Sequence, residues 1–334
     1  MYHKTLKSLI GAMAVLAIGY SHAQVSERTL KLGMQNPKGH PMEVSANKLA
    51  EVVSAKSGSK MNIKVFPAGQ LGGDHQTVSA LQGGTVEMTI LNSGILASQV
   101  KEFEVFDFPF MFASSKEADT IVDGAFGKNM HDKLAAKGIV GLGYWELGFR
   151  NISNGRRPIK TVDDIAGLKL RVIPNPINID WVKALNANPT PLPFPEVYTA
   201  LEQKAIDGQE NPLTVIAANK MNEVQQFLLL SRHQYNPQSV IVSKKVWDTF
   251  SPDEKKILSD AVAEVTQFQR KLARDQEGAA LEMLKKGGMT VTELPPAEVI
   301  RLRQKMLPVI EKHSVGATAE TVKALNSELA ALRK

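Results

Sequence analysis

GLKLRV (167–172), ALNANPTPLPFPEVYTAL (184–201) and AIDGQENPL (205–213) succeed one another in a single stretch of this 334-residue chain. In the first, Leu168, Leu170 and Val172 alternate with Lys169 and Arg171, which is the period of a strand, placed here at 169–173. Residues 176–186 and 195–204 follow as helices. Each is opened by a proline, whose missing N–H costs nothing at the first helical position. Asp207-Gly208 signals a polar turn, and Asn211, standing before Pro212, is held extended. One folding unit thus brings together an arginine on a strand, a helix start and a polar turn. These are the parts needed to hold a small carboxylate.

Upstream, 29–35 alternates Leu30, Leu32 and Met34 with polar neighbours, and 61–66 alternates Met61, Ile63 and Val65. Between them, Met42, Val44, Leu49, Val52 and Val53 fall at mainly helical spacing over 41–56. Strand, helix, strand opens an α/β domain. AGQLGGD (68–74) reads as a turn whose Asp74 caps a helix through Leu81, and 86–91 as a short strand. Phe103, Phe106, Phe108, Phe110 and Phe112 mark a buried connector, after which Ser114 or Ser115 caps a helix. Residues 139–147 read as a strand with Arg150 following at once, and 161–164 caps a short helix. Downstream, 224–230 and 239–243 read as two strands. Ser251-Pro252-Asp253-Glu254 has capping-box spacing and opens a long helix to about Lys286. A strand near Thr290 and helices over 296–313 and 318–333 complete the chain. No internal repeat, linker or low-complexity tract interrupts it. This order suggests two α/β lobes joined by more than one crossing.

Residues 1–23 read as an export signal. Lys4 and Lys7 give a positive start, the run from Leu9 to Gly19 is apolar, and Ser21-His22-Ala23 supplies small residues for cleavage after Ala23. That run is about 11 residues, against the ~20 needed to span a bilayer. The remaining 311 of the 334 residues are ample for two lobes. The chain has no cysteine, which excludes disulfides, thiolate metal sites, cysteine nucleophiles and a lipoprotein anchor. Formal charge is +6, and losing Lys4 and Lys7 leaves +4. Lys and Arg are interspersed with Asp and Glu, so there is no nucleic-acid stripe. The mild bias favours the approach of an anion.

The three motifs, in this order and spacing, resemble the solute-binding proteins of TRAP (tripartite ATP-independent periplasmic) transporters, the DctP family, and the likeness extends more loosely over most of the chain. The resemblance implies a type II-like periplasmic binding protein: two α/β lobes, a ligand cleft between them, and a very long helix leaning on both. Lobe I is expected at 24–148 plus about 236–275, and lobe II at 149–235 plus about 276–334. The family's carboxylate-gripping arginine falls on Arg171, and Asn211 carries over as a second solute contact. Glu210 either joins it or braces the turn. Arg150 is either a second basic contact or a structural ion pair. Phe194 either lines the pocket or packs in the core. From the other lobe, Gln35, Asp74 and Asn92 stand at strand ends or turns where ligands of open α/β sheets bind, and their polar, largely neutral groups suit hydroxyls. His40 and His233 are weaker candidates, kept alongside the reading of ordinary satisfied histidines.

Enzyme motifs are scarce. HExxH, GxSxG, a Walker loop and GxGxxG are missing, and the S-x-x-K matches at Ser45 and Ser57 lack S-D-N and K-T-G partners. Histidines show no metal-ligand pairing, and neither a metal nor a cofactor is expected. A secreted hydrolase or lyase using carboxylates stays open, as does an ABC-type or sensor-linked binding protein. The expected function is a periplasmic, monomeric solute receptor that hands a small organic acid to the small and large membrane permease subunits. The expected solute is a polyhydroxy monocarboxylate, a short aldonate such as erythronate. Gulonate or diketogulonate, uronates and C4-dicarboxylates follow, the last requiring Arg150 to hold a second carboxylate.

Overall fold

The computed structural model describes residues 25–334, so the export-signal reading of 1–23 lies outside the described residues. Strand β1 (Arg28–Met34), helix α1 (Pro41–Lys56), β2 (Met61–Phe66), α2 (Asp74–Gly83) and β3 (Met88–Asn92) form the opening α/β unit. Helices α3 (Ser115–Asp123) and α4 (Ala125–Lys133) lead into the long strand β4 (Ile139–Asn154). Then come β5 (Lys169–Val172), α5 (Pro176–Ala184), β6 (Asn188–Pro191), α6 (Val197–Glu202), β7 (Gly208–Asn211) and α7 (Leu213–Ala218). A second long strand, β8 (Phe227–Ser243), precedes α8 (Lys244–Trp247), α9 (Pro252–Lys286), β9 (Thr290–Thr292), α10 (Pro296–His313) and α11 (Ala317–Leu332).

All nine strands join one sheet in the order β2-β1-β3-β8-β4-β7-β5-β6, with β9 paired to β8. The two halves of the molecule share β4 and β8, which run antiparallel to each other through both. Their ladder shifts register between Glu146 and Gly148, where Gly148 faces Asn236 at φ +112°. A bulge there bends the strands as they pass from one half to the other. One core cluster, around Leu32, Met42, Leu49 and Val262, fills the first half. A second, around Val197, Leu201, Ile216 and Leu284, lies in the other. The largest runs between them and contains Phe103, Phe106, Phe108, Leu170, Trp181 and Leu325. The phenylalanine-rich segment is thus the buried connector its composition announced.

Helix α9 is 35 residues, about 50 Å at 1.5 Å per residue. Ser251 Oγ accepts from Glu254 N–H while the Glu254 carboxylate accepts from Ser251 N–H, the capping box read from the sequence. Leu258, Val262 and Val265 bury in the first core and Ala280 and Leu284 in the second, so the helix leans on both halves. Gln269 bridges to β4 at the bulge: its amide donates to Glu146 O at 2.7 Å and accepts from Glu146 N–H at 2.7 Å. The two backbone groups that the ladder leaves unpaired there are satisfied by one side chain.

Several sequence expectations change in the folded chain. The cap of α2 is Gly73, not Asp74; the Gln76 side chain accepts from Gly73 N–H at 3.0 Å, and Asp74 is the first helical residue. Arg150 stands inside β4, which continues to Asn154. The strands expected at 224–230 and 239–243 are one strand. The polar stretch between them is held by tertiary contacts, including Arg232 at φ +41° with its N–H donating to Asn151 Oδ1. Residues 208–211 form a strand between β4 and β5 rather than a polar turn. Gly208 is required in that strand because a Cβ there would lie 2.3 Å from the Ser153 carbonyl oxygen. Gly208→Ala is expected to lower stability by ~1–3 kcal/mol through forced separation of β7 and β4. Urea unfolding of the variant beside the native protein measures it.

Candidate functional site

Strand β5 is flanked by β6 and β7, and Leu170 and Val172 are fully buried in the core behind it. Side chains alternate along a strand, so Arg171 points to the opposite face. The guanidinium is buried there, with Nε and Nη2 both donating to Leu192 O at 3.0 and 2.8 Å. The Phe194 ring lies 5.8 Å from its centre. Among the described residues it has no carboxylate within 4.0 Å. Burial pulls its pKa down to about 10; the like charge of Arg150 adds to this, and Glu210 and Asp74 oppose it. A desolvated cation with one neutral carbonyl as partner is costly until an anion joins it.

Arg150, on β4, is settled differently. Glu210 on β7 receives its fork, with Nη2 at 2.7 Å from Oε1 and Nε against Oε2, and Nη1 donates to Asn236 Oδ1 at 2.5 Å. Both partners of this ion pair are about 1 % exposed. Burial alone would raise the Glu210 carboxyl; the Arg150 charge and the nearby His233 outweigh it and hold the value at about 2. Arg150 is thus ion-paired to Glu210 and also forms part of the cavity wall.

Seven of the nine candidates surround one cavity: Gln35, Asp74 and Asn92 from one half, and Arg150, Arg171, Phe194 and Asn211 across from them. Gln35 donates to Gly72 O at 3.0 Å, leaving Oε1 without a partner. Asn92 donates to Asp107 Oδ1 at 3.0 Å, leaving its Oδ1 likewise open. Asn211 donates to Gln209 Oε1 at 2.5 Å. Arg171, Asp74 and Phe194 also border an outer slot, where the loop 69–73 meets Pro193 and Pro195.

His40 and His233 are not in the cavity wall. His40 caps α1, its Nδ1 accepting from Met42 N–H at 3.1 Å, and burial lowers its pKa to about 3. His233 stands behind the ion pair, Nε2 3.4 Å from Glu210 Oε2, with its ring 4.8 Å from Trp181. Sequence reasoning missed the amides of Asn36 and Gln238 and the apolar wall of Leu147, Ile173 and Val215. It also missed Asp107, hidden among phenylalanines. This buried carboxylate receives Asn92, Asn175 and Asn178 at 2.8–3.0 Å and so ties both halves together behind the cavity. Burial raises its pKa, against the pull of Asn92, Arg150 and the other amides. Among the described residues no cluster of three or more His, Asp or Glu could hold a metal ion.

Because Glu210 in the fold lies below its ordinary 4.5, its contribution is complete above about pH 4.5 and fades as pH falls toward 2. Glu210→Gln strands the buried Arg150 charge and is expected to lose ~3–5 kcal/mol at neutral pH. The variant's unfolding midpoint is also expected to change less than the native one between pH 5 and 3. Paired urea titrations across that range test both statements.

The match with known proteins covers most of this architecture. The model for "Bacterial extracellular solute-binding protein, family 7" (DctP) matches residues 32–315. The 2,3-diketo-L-gulonate-binding periplasmic protein YiaO of Escherichia coli K12 is 32% identical over 287 residues, covering 86% of this chain and 88% of that one. The sugar acid binding protein DctPAm of Advenella mimigardefordensis, in complex with galactonate, superposes with a TM-score of 0.90 at 42% identity, over 92% of this chain and 99% of that one. A TRAP periplasmic solute-binding protein from Polaromonas sp. JS666, bound to D-erythronate, does so at 0.86 and 36% identity, over 90% and 98%. The two-lobe, type II-like fold is theirs. These relatives are receptors rather than enzymes, which removes the hydrolase or lyase reading. No helix among the described residues is long and apolar enough to cross a membrane. The chain belongs to the DctP family, the periplasmic solute-binding proteins of TRAP transporters.

Proposed function

We propose that this protein captures a small polyhydroxy monocarboxylate, a short aldonate such as erythronate, and that Arg171 holds its carboxylate. The observation that carries this reading is the buried Arg171 guanidinium without an anionic partner, facing a cavity whose open groups are acceptors. Gln35 Oε1 and Asn92 Oδ1 call for donors, and hydroxyl groups supply them. With Glu210 occupying Arg150, Arg171 is the cation left without an ion-pair partner in the cavity wall among the described residues, which favours one carboxylate over the two of a C4-dicarboxylate. The solutes named for the three relatives described above, galactonate, erythronate and 2,3-diketo-L-gulonate, are sugar acids and support the same class.

Capture proceeds by lobe closure. The solute docks on Arg171 and Asn211, and Gln35, Asp74 and Asn92 add contacts only when the halves meet. That differential contact is what shifts the population to the closed form. The lobes divide near the Gly148–Asn236 bulge, at 24–148 plus about 236–275 and 149–235 plus about 276–334. The export signal at 1–23 delivers the chain to the periplasm, where it works as a monomer. The closed form then passes its solute to the small and large permease subunits.

A thermal-shift screen of the mature protein against aldonates, uronates and C4-dicarboxylates tests the reading. A ligand at about 100-fold its Kd adds ~2.7 kcal/mol of stability and raises Tm visibly. Arg171→Ala is expected to weaken binding of the best hit by ~3–5 kcal/mol, measured by calorimetry. Unchanged affinity in that variant, or turnover of the hit, overturns the proposal.

A further inference from the structure

A line of buried polar side chains crosses the sheet on its Arg171 face. Gln209 of β7 lies between Arg171 of β5 and Ser153 of β4, and Asn211 stands two residues further along β7. Laterally paired residues, and alternate residues of one strand, share a face. Asn211 borders the cavity, whereas Gln225, at the other end of the line, borders a second pocket with Arg156, Asp207 and Glu223. Asn211, Gln209, Ser153 and Gln225 are each at most 3 % exposed.

The hydrogen bonds along this line can run in only one direction. Gln225 Nε2 donates to Val224 O at 3.0 Å and to Asp207 O at 3.4 Å. Backbone carbonyls only accept, so the Gln225 amide is fixed, and its Oε1 takes the Ser153 hydroxyl proton at 3.2 Å. With its one proton committed, Ser153 Oγ accepts from Gln209 Nε2 at 2.9 Å. Gln209 therefore turns Oε1 to Asn211, whose Nδ2 donates to it at 2.5 Å. The amide of Asn211 is thereby set, with Oδ1 turned away from Gln209 in a residue that walls the cavity.

We propose that this relay makes Asn211 Oδ1 the acceptor for the solute hydroxyl next to the carboxylate, with Gln209, Ser153 and Gln225 as positioning residues. The proposal rests on the reading of Arg171 as the carboxylate site. Asn211 shares the Arg171 wall, while Gln35 and Asn92 reach the solute from the other half. The substituent nearest the carboxylate therefore meets Asn211, and a 2-hydroxyl supplies the proton that its oxygen accepts. A solute lacking this hydroxyl leaves the oxygen desolvated and unpaired, because the relay keeps the amide from turning over to offer N–H instead. A 2-keto acid in its carbonyl form sets acceptor against acceptor there, so the relay ranks gulonate above diketogulonate.

Calorimetry of the full mature protein with three four-carbon acids tests this. They are erythronate, 3,4-dihydroxybutanoate, which lacks only the 2-hydroxyl, and 2,4-dihydroxybutanoate, which lacks only the 3-hydroxyl. The native protein is expected to bind 3,4-dihydroxybutanoate about 10- to 100-fold more weakly than erythronate. Gln225→Leu, at the end of the relay away from the cavity, frees the amides to reverse. It is expected to bring that ratio below about threefold while the penalty for losing the 3-hydroxyl stays at its native value. A purely structural role would weaken all three acids alike. Ser153→Ala carries the same expectation should Gln225→Leu fold poorly, and the native comparison needs neither variant. Equal binding of erythronate and 3,4-dihydroxybutanoate by the native protein overturns the role of Asn211. A ratio that keeps its native value in either folded variant overturns the relay. Both of those outcomes leave Arg171 as the carboxylate site. Failure of erythronate and galactonate alike to bind the native protein overturns the sugar-acid reading, and this proposal with it.

Discussion

Two buried guanidinium groups share one cavity, and a single carboxylate of the chain, Glu210, is bonded to only one of them. Charges of like sign in a desolvated space repel each other and resist burial, and the pKa of Arg171 is depressed for both reasons. Glu210 settles the charge of Arg150 with a fork-to-fork pair, and that pair becomes framework. Arg171 keeps a neutral carbonyl and an aromatic face for company, with no ion-pair partner among the described residues. Had Glu210 lain between the two arginines, both charges would have been partly satisfied and neither would require a ligand. The strand order puts Glu210 beside β4, where it faces Ile152 in the ladder and reaches Arg150.

The rest of the molecule holds this arrangement in place. Side-chain amides do much of the bracing. Asp107 gathers Asn92 from the end of β3, Asn175 from the N-cap of α5 and Asn178 from its first turn, so one buried carboxylate links elements of both halves. Gln269 satisfies β4 at its bulge, and Arg270 and Arg274 continue the attachment of α9 through Asp123, Asp119 and Glu146. The strands are thus supported on either side of Gly148 and irregular at it. The ladder between them shifts register at three places, Gly141/Gly143, Glu146/Gly148 and Arg150/Ile152.

Much of the scaffold was legible locally. Alternation marked β1, β2 and β5, helical spacing of apolar residues placed α1, and proline and capping signals placed α5 and α9, because these depend on neighbours in sequence. Strand β7 was not legible, since Gly-Gln-Glu-Asn has no apolar alternation. Its side chains are polar on both faces because they meet buried polar partners, such as Ser153 at Gln209 and Arg150 at Glu210. The unity of β8 was hidden for the same reason: His233, Gln234, Asn236 and Gln238 are buried by contacts from elsewhere in the chain.

The sequence by itself determined the α/β class, the long helix and the family to which its motifs point. It also singled out seven of the residues that surround the cavity, because motif order and residue chemistry survive without coordinates. Only the tertiary structure decided which arginine is free. The partner of Arg150 lies 60 residues away, and the partner that Arg171 lacks is a statement about distances. Burial, pairing and the charge left over are properties of the folded arrangement, and they separate the ion-paired Arg150 from the unpaired Arg171.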